Sequence, residues 1–172
     1  MKWNAIFILL SVFALAPVAA GQANKVDDRA LPNQLSETEV QTILKENNPK
    51  SHVEAALKLS DARLARALKD TEAHQYKAAV DDVDVYASLV IYADGYARKL
   101  PAAQIKDRNT CLKKIEQAIF KQSRNLDLVM REVPYDLREP VVVRIKELKK
   151  VRLRALDDAL GGGKIINSSN EK

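Results

Sequence analysis

Five apolar residues spaced seven apart, Ile105, Leu112, Ile119, Leu126 and Val133, constrain this chain more than any other feature. With Ile115 and Val129 on the intervening position they form a stripe that a long α-helix presents to its neighbours. A sustained heptad places those neighbours nearly parallel or antiparallel to it. Arg108 and Gln122 interrupt the intervening row, which favours a bundle over a two-stranded coiled coil. Glycine supports the same reading, since between Leu35 and Gly161 it occurs once, at Gly95, and no alternating run bounded by turn residues is available to make a strand.

The remaining segments supply the neighbours. Ser36-Glu37-Thr38-Glu39 is a capping box that opens a short helix through Val40, Ile43 and Leu44, stopped by Asn47-Asn48-Pro49. Ser51-His52-Val53-Glu54 repeats the pattern and is expected to open a helix with Val53, Leu57, Leu64 and Leu68 on one face, reaching Asp70-Thr71. The third helix carries two apolar stripes, from Tyr76 through Val83 and Val90 to Ala97, and from Val85 through Leu89 and Tyr92 to Tyr96. That pattern marks a helix central in its bundle, ended by Gly95 and Pro101. After the heptad helix, Asp136 can cap a last helix carrying Leu137, Val141, Ile145, Leu148, Ala155 and Leu156, which stops at the glycine run 161–163. Short connections force sequential helices antiparallel. The expected fold is all-α: an antiparallel up-down-up-down four-helix bundle preceded by one short helix, together spanning 36–160. A flexible leader at 21–35 and a flexible tail at 161–172 flank it. The helices differ too much among themselves for an array of identical repeats.

The N-terminus reads as an export signal. Lys2 precedes the apolar run Ala5–Ala16, which is too short to span a bilayer, and Pro17-Val18-Ala19-Ala20 offers small residues before Gly21. Residues 1–20 are expected to be removed, leaving an exported protein, periplasmic or extracellular, with no transmembrane segment after cleavage. No cysteine lies near the cleavage site, which argues against lipid modification there.

Several chemistries lack their residues. The net charge of +5 in 172 residues is mild and aromatic content is only 5%, so neither a strongly basic domain nor stacking platforms for nucleic acid are present. Cys111 is the single cysteine, so no internal disulfide can form. It flanks the heptad seam as a small half-buried residue, with an intermolecular disulfide as the alternative. The only imidazoles, His52 and His74, are read as exposed at helix ends. Nucleophilic catalysis, structural zinc, a di-iron bundle site, c-type haem and phosphate loops all need residues at spacings this chain does not have. No catalytic, cofactor-binding or metal-ligating residues are expected, and the chain is read as non-enzymatic with no cofactor. Asp81, Asp82 and Asp84 diverge around a helix and read as a solvated acidic face rather than a cation cluster.

Charge segregation is the feature that can carry function. Asp70–Asp94 holds six acidic residues against Lys77, while Arg138–Arg154 holds seven basic residues against Glu139 and Glu147. Arg144, Lys146, Lys149, Lys150, Arg152 and Arg154 are therefore candidate docking residues for an acidic protein or another anionic envelope component, such as a phospholipid headgroup or polymer. That helix lacks the Trp or Phe that an interfacial membrane helix would bury, and its apolar stripe is needed for the bundle. The alternative function is a carrier or sensor holding a small apolar ligand between the helices near Tyr76, Tyr86, Tyr92 and Tyr96.

The stretch Asp61–Tyr92, with Ala62-Arg63-Leu64-Ala65-Arg66-Ala67-Leu68, then Tyr76-Lys77-Ala78-Ala79 and Asp84-Val85-Tyr86, resembles helical hairpins of exported bacterial proteins of unknown function. The resemblance covers about a third of the chain beyond the signal and implies fold and compartment only. Leu35-Ser36-Glu37-Thr38-Glu39 departs from the Leu-Thr-x-x-Gln signature of periplasmic helical chaperones at the Thr and Gln positions, so that activity is not carried over.

Overall fold

The computed structural model describes residues 31–159. The expected export signal, most of the leader and the tail lie outside them. Five α-helices follow in order, α1 (Glu37–Leu44), α2 (Pro49–Glu72), α3 (Tyr76–Arg98), α4 (Ile105–Glu132) and α5 (Tyr135–Ala159), with a 3-10 turn, Ala102–Gln104, before α4. No strand occurs among the described residues. The architecture is the expected short helix followed by four long ones.

Local chemistry explains the helix ends. Ser36 caps α1 reciprocally: its Oγ accepts from the Glu39 N–H at 3.3 Å, and the Glu39 carboxylate accepts from the Ser36 N–H at 2.8 Å. The second capping pattern does not cap. Pro49, expected to stop α1, instead opens α2, because a missing N–H costs nothing at the first helical position, and Asn48 Oδ1 accepts from the Lys50 and Ser51 N–H groups. Gly95 does not end α3, which continues to Arg98. Pro101 leads into the 3-10 turn rather than opening α4, and Ile105, the first heptad residue, is left 45% exposed while the other six stripe residues are buried. At the far end of α4, the Arg138 guanidinium donates to the carbonyls of Arg131 and Val133, satisfying acceptors that a helix C-terminus leaves open.

The packed chain begins earlier than the capping box. Pro32 is buried and Leu31 and Leu35 lie against the core, bracketing a turn closed by the Leu35 N–H and the Pro32 carbonyl at 3.1 Å. Residues 31–35 are thus part of the packed unit, contrary to an exposed leader running through Leu35.

Polar contacts between helices fix their directions. On α2 and α3, His52 meets Tyr92 while Arg63 meets Asp82, so numbers rise on one as they fall on the other and the pair is antiparallel. The same holds for α4 and α5, where Arg152 meets Glu116 and Arg138 meets Arg131. Between the pairs the numbers rise together. Lys50 faces Asp107, Glu54 faces Lys114 and Asp61 faces Gln122 from α2 to α4, and Asp84 faces Arg144 while Asp94 faces Arg154 from α3 to α5, each 60 residues on. Two antiparallel hairpins therefore lie side by side in parallel register. α3 and α4 also touch across the diagonal, whereas α2 and α5 occupy opposite corners.

The core runs through all four long helices. Val83, Ala87, Val90, Ala93 and Ala97 on α3 are matched step for step by Val141, Ile145, Leu148, Val151 and Ala155 on α5, all of them buried. α3 buries most of both stripes, with Tyr76, Val80 and Tyr96 only partly buried, as expected for the central helix.

Candidate functional site

Direction around α5 divides its six candidate basic residues into two sets. Arg144, Arg152 and Arg154 point along the bundle's own seams. Arg144 Nε donates to Asp84 Oδ1 at 2.7 Å and its Nη1 to Glu147 at 2.7 Å. Burial by itself lowers the Arg144 pKa, but the bonds to Glu147 and Asp84 outweigh it and hold the guanidinium above its ordinary value. Arg152 Nε donates to Glu116 at 2.9 Å while its guanidinium carbon stands 4.6 Å from the Phe120 ring centroid. Arg154 reaches Asp94 at 3.4 Å. Lys146, Lys149 and Lys150 are exposed and make no ion pair or hydrogen bond among the described residues. The structure thus brings the three lysines together on the outside, turns Arg144 and Arg152 into the seams and leaves Arg154 exposed but reaching Asp94.

The acidic counterpart is not a single solvated face. Asp81 is exposed, but Asp82 is buried and receives Arg66 together with Arg63, the latter at 3.4 Å, while Glu39 of α1 holds Arg63 from the other side at 2.6 Å. Asp84 is engaged by Arg144, and Asp94 is buried against Arg98 at 2.9 Å and Arg154. Sequence reading missed Asp82 because the arginines that neutralise it sit on a different helix.

The histidines also differ from each other. His74 is exposed in the α2–α3 turn, as expected, with a left-handed φ of 57° and its Nδ1 at 2.7 Å from the Tyr76 hydroxyl. His52 is not exposed. It is buried, with Nε2 at 2.8 Å from the Tyr92 hydroxyl, Nδ1 at 3.2 Å from the Glu46 carbonyl oxygen, and its ring stacked on Tyr96 at 4.0 Å between centroids. Burial lowers the His52 pKa below 6.5 and pushes Tyr92 up to about 12. Cys111 is fully buried rather than half-buried, its thiol 3.7 Å from the Pro49 carbonyl.

The four tyrosines named for a ligand site do not converge. Tyr76 sits at the start of α3 beside His74, and Tyr92 and Tyr96 lie near its end around His52. Tyr86 is buried between these ends, with no hydrogen-bond partner for its hydroxyl. No group of three or more His, Cys, Asp or Glu side chains among the described residues is placed to hold a metal ion. No described helix is long and apolar enough to cross a membrane.

No protein family, curated protein or solved structure is found to match this chain.

Proposed function

We propose that the chain is a non-enzymatic exported module that works at the cell envelope by docking onto an anionic partner through the outer face of α5. One observation carries this reading. Lys146, Lys149 and Lys150 are exposed without internal partners, so the bundle makes no use of the cations that the sequence clusters there. Arg144, Arg152 and Arg154, assigned to the same surface from the sequence, serve instead to join the helices and so position the lysines.

Retention on a sulfated-polysaccharide resin tests the reading. The full chain is compared with Lys146→Glu/Lys149→Glu/Lys150→Glu and with a control, Lys58→Glu/Lys69→Glu/Lys77→Glu, that makes the same change of net charge on α2 and α3. The α5 triple is expected to elute at much lower salt than the control, with both still folded by circular dichroism. Equal elution of the two variants would show that net charge rather than this face governs retention, and would sink the proposal.

A further inference from the structure

The cations of α5 do not stand alone. Seven large apolar side chains are exposed among the described residues, and six of them, Ile105, Phe120, Leu128, Tyr135, Val143 and Leu153, belong to α4 and α5. At about 100° per residue, Phe120, Tyr135 and Leu153 fall on the outer face that α4 and α5 share, whereas Leu128 lies on the side of α4 where Lys114 meets α2 and Val143 on the side of α5 where Arg154 meets α3. The antiparallel register set by Arg152 with Glu116 and Arg138 with Arg131 puts Phe120 level with Lys150. Exposed Arg124 of α4 borders this face beside the three α5 lysines, and none of the four has a partner among the described residues. Acidic side chains are few on it, with half-buried Asp127 one heptad after Phe120, Glu139 near the α4–α5 turn and Asp157 at the other end.

We infer that this two-helix face docks onto an anionic phospholipid surface. The inference rests on the proposed docking function and names its partner. Three features select a bilayer over a partner helix. The seam between α4 and α5 is filled by Arg152 stacked on Phe120 and bonded to Glu116, so it offers no apolar groove for a helix to enter. The apolar groups stand on the crests of both helices, where a planar partner meets them together. The cations interleaved with them have long stems that lie along apolar surface while their charges reach headgroups. The absence of Trp or Phe on α5, which counted against a membrane surface in the sequence, is met by Phe120 of α4, 61% exposed on the same face.

Co-sedimentation of the full chain with phosphatidylglycerol/phosphatidylcholine vesicles, against pure phosphatidylcholine, tests the inference. The apolar run Ala5–Ala16 is common to every variant, so differences between variants report this face. Binding to anionic vesicles is expected to weaken at least about a hundredfold in Arg124→Glu/Lys146→Glu/Lys150→Glu. It should weaken about tenfold or more in Phe120→Ser/Leu153→Ser, both positions being exposed enough that folding survives. A solvatochromic dye on Leu153→Cys should shift to the blue on anionic vesicles, while the same dye on Ala78→Cys of α3 should not. Vesicle binding unchanged in both variants, or equal dye shifts at the two positions, overturns the inference. If wild type is retained on the sulfated resin through its α5 lysines but neither variant nor lipid charge alters vesicle binding, the lipid assignment falls and anionic docking stands. Loss of the α5 dependence on the resin as well removes both.

Discussion

The imidazole of His52 and the hydroxyl of Tyr92, 2.8 Å apart, join the start of α2 to the far end of α3 inside the core. Burial keeps His52 neutral by lowering its pKa below 6.5, although the Glu46 carbonyl partly opposes this. The unfolded chain therefore binds the proton more readily than the folded one. The stabilising contribution is complete above about pH 6.5 and declines as pH falls below it, toward the depressed folded pKa, by at most about 1.4 kcal/mol per pH unit. Urea midpoints between pH 7.5 and pH 5.5 should fall for wild type, and fall less for His52→Gln. An identical pH response in the variant would assign the effect to other groups.

Arg63 and Asp82 form the most enclosed charge pair, with Glu39 completing it from α1. Their side chains are 10% and 6% exposed, so removing one partner leaves a charge with little access to water. Arg63→Met should cost about 3 kcal/mol, because Asp82 keeps only Arg66 and Glu39 loses the cation bonded to it. Denaturant titration measures it. A loss under about 1 kcal/mol would mean that Arg66 alone suffices to neutralise Asp82.

These pairs show what the sequence could carry and what it could not. Helix class, the α1 capping box and six of the seven stripe residues of α4 were legible because they depend on near neighbours in the chain. Burial of Asp82 and His52 was not, because Arg63 and Tyr92 lie on other helices and only the hairpin register brings them close. The start of α2 was misplaced for a different reason. Ser51-x-x-Glu54 carries the capping pattern, but Asn48 and Pro49 satisfy and preset the first turn ahead of it. The α5 cluster was legible as charge, while its division into seam arginines and outer lysines required knowing where α3 and α4 lie.

That division has a direct consequence for stability. Arg144 is tied to Asp84 and Glu147, so Arg144→Ala should cost about 1 kcal/mol, a modest sum because its partners stay partly solvated. Lys146→Ala/Lys149→Ala/Lys150→Ala should change stability by no more than about 0.5 kcal/mol. Thermal melts of the two variants distinguish them. The opposite order would place the lysines, not Arg144, among the groups that hold the bundle together.

Cys111 is fully buried, and burial pushes its thiol pKa above the ordinary range, with Asp107 adding to the rise. Only the thiolate reacts, so the folded protein should resist thiol-labelling reagents and form no covalent dimer under mild oxidation. In denaturant it should label at once. Rapid labelling of the folded protein would show that the contact with Pro49 opens readily.

Gly95 lies inside α3, where glycine is normally unfavourable because it surrenders the most backbone freedom on folding. A close neighbour could require it, but a Cβ built there meets nothing within 4 Å. Its φ is not left-handed, in keeping with its place inside α3. Nothing in the packing therefore opposes a methyl group, and Gly95→Ala should raise stability by roughly 0.5 to 1 kcal/mol. The gain should appear as a higher denaturant midpoint with an unchanged slope. A lower midpoint would mean that α3 needs to bend or open at this position, one turn before the helix ends at Arg98 beside its Asp94 and Asp158 partners.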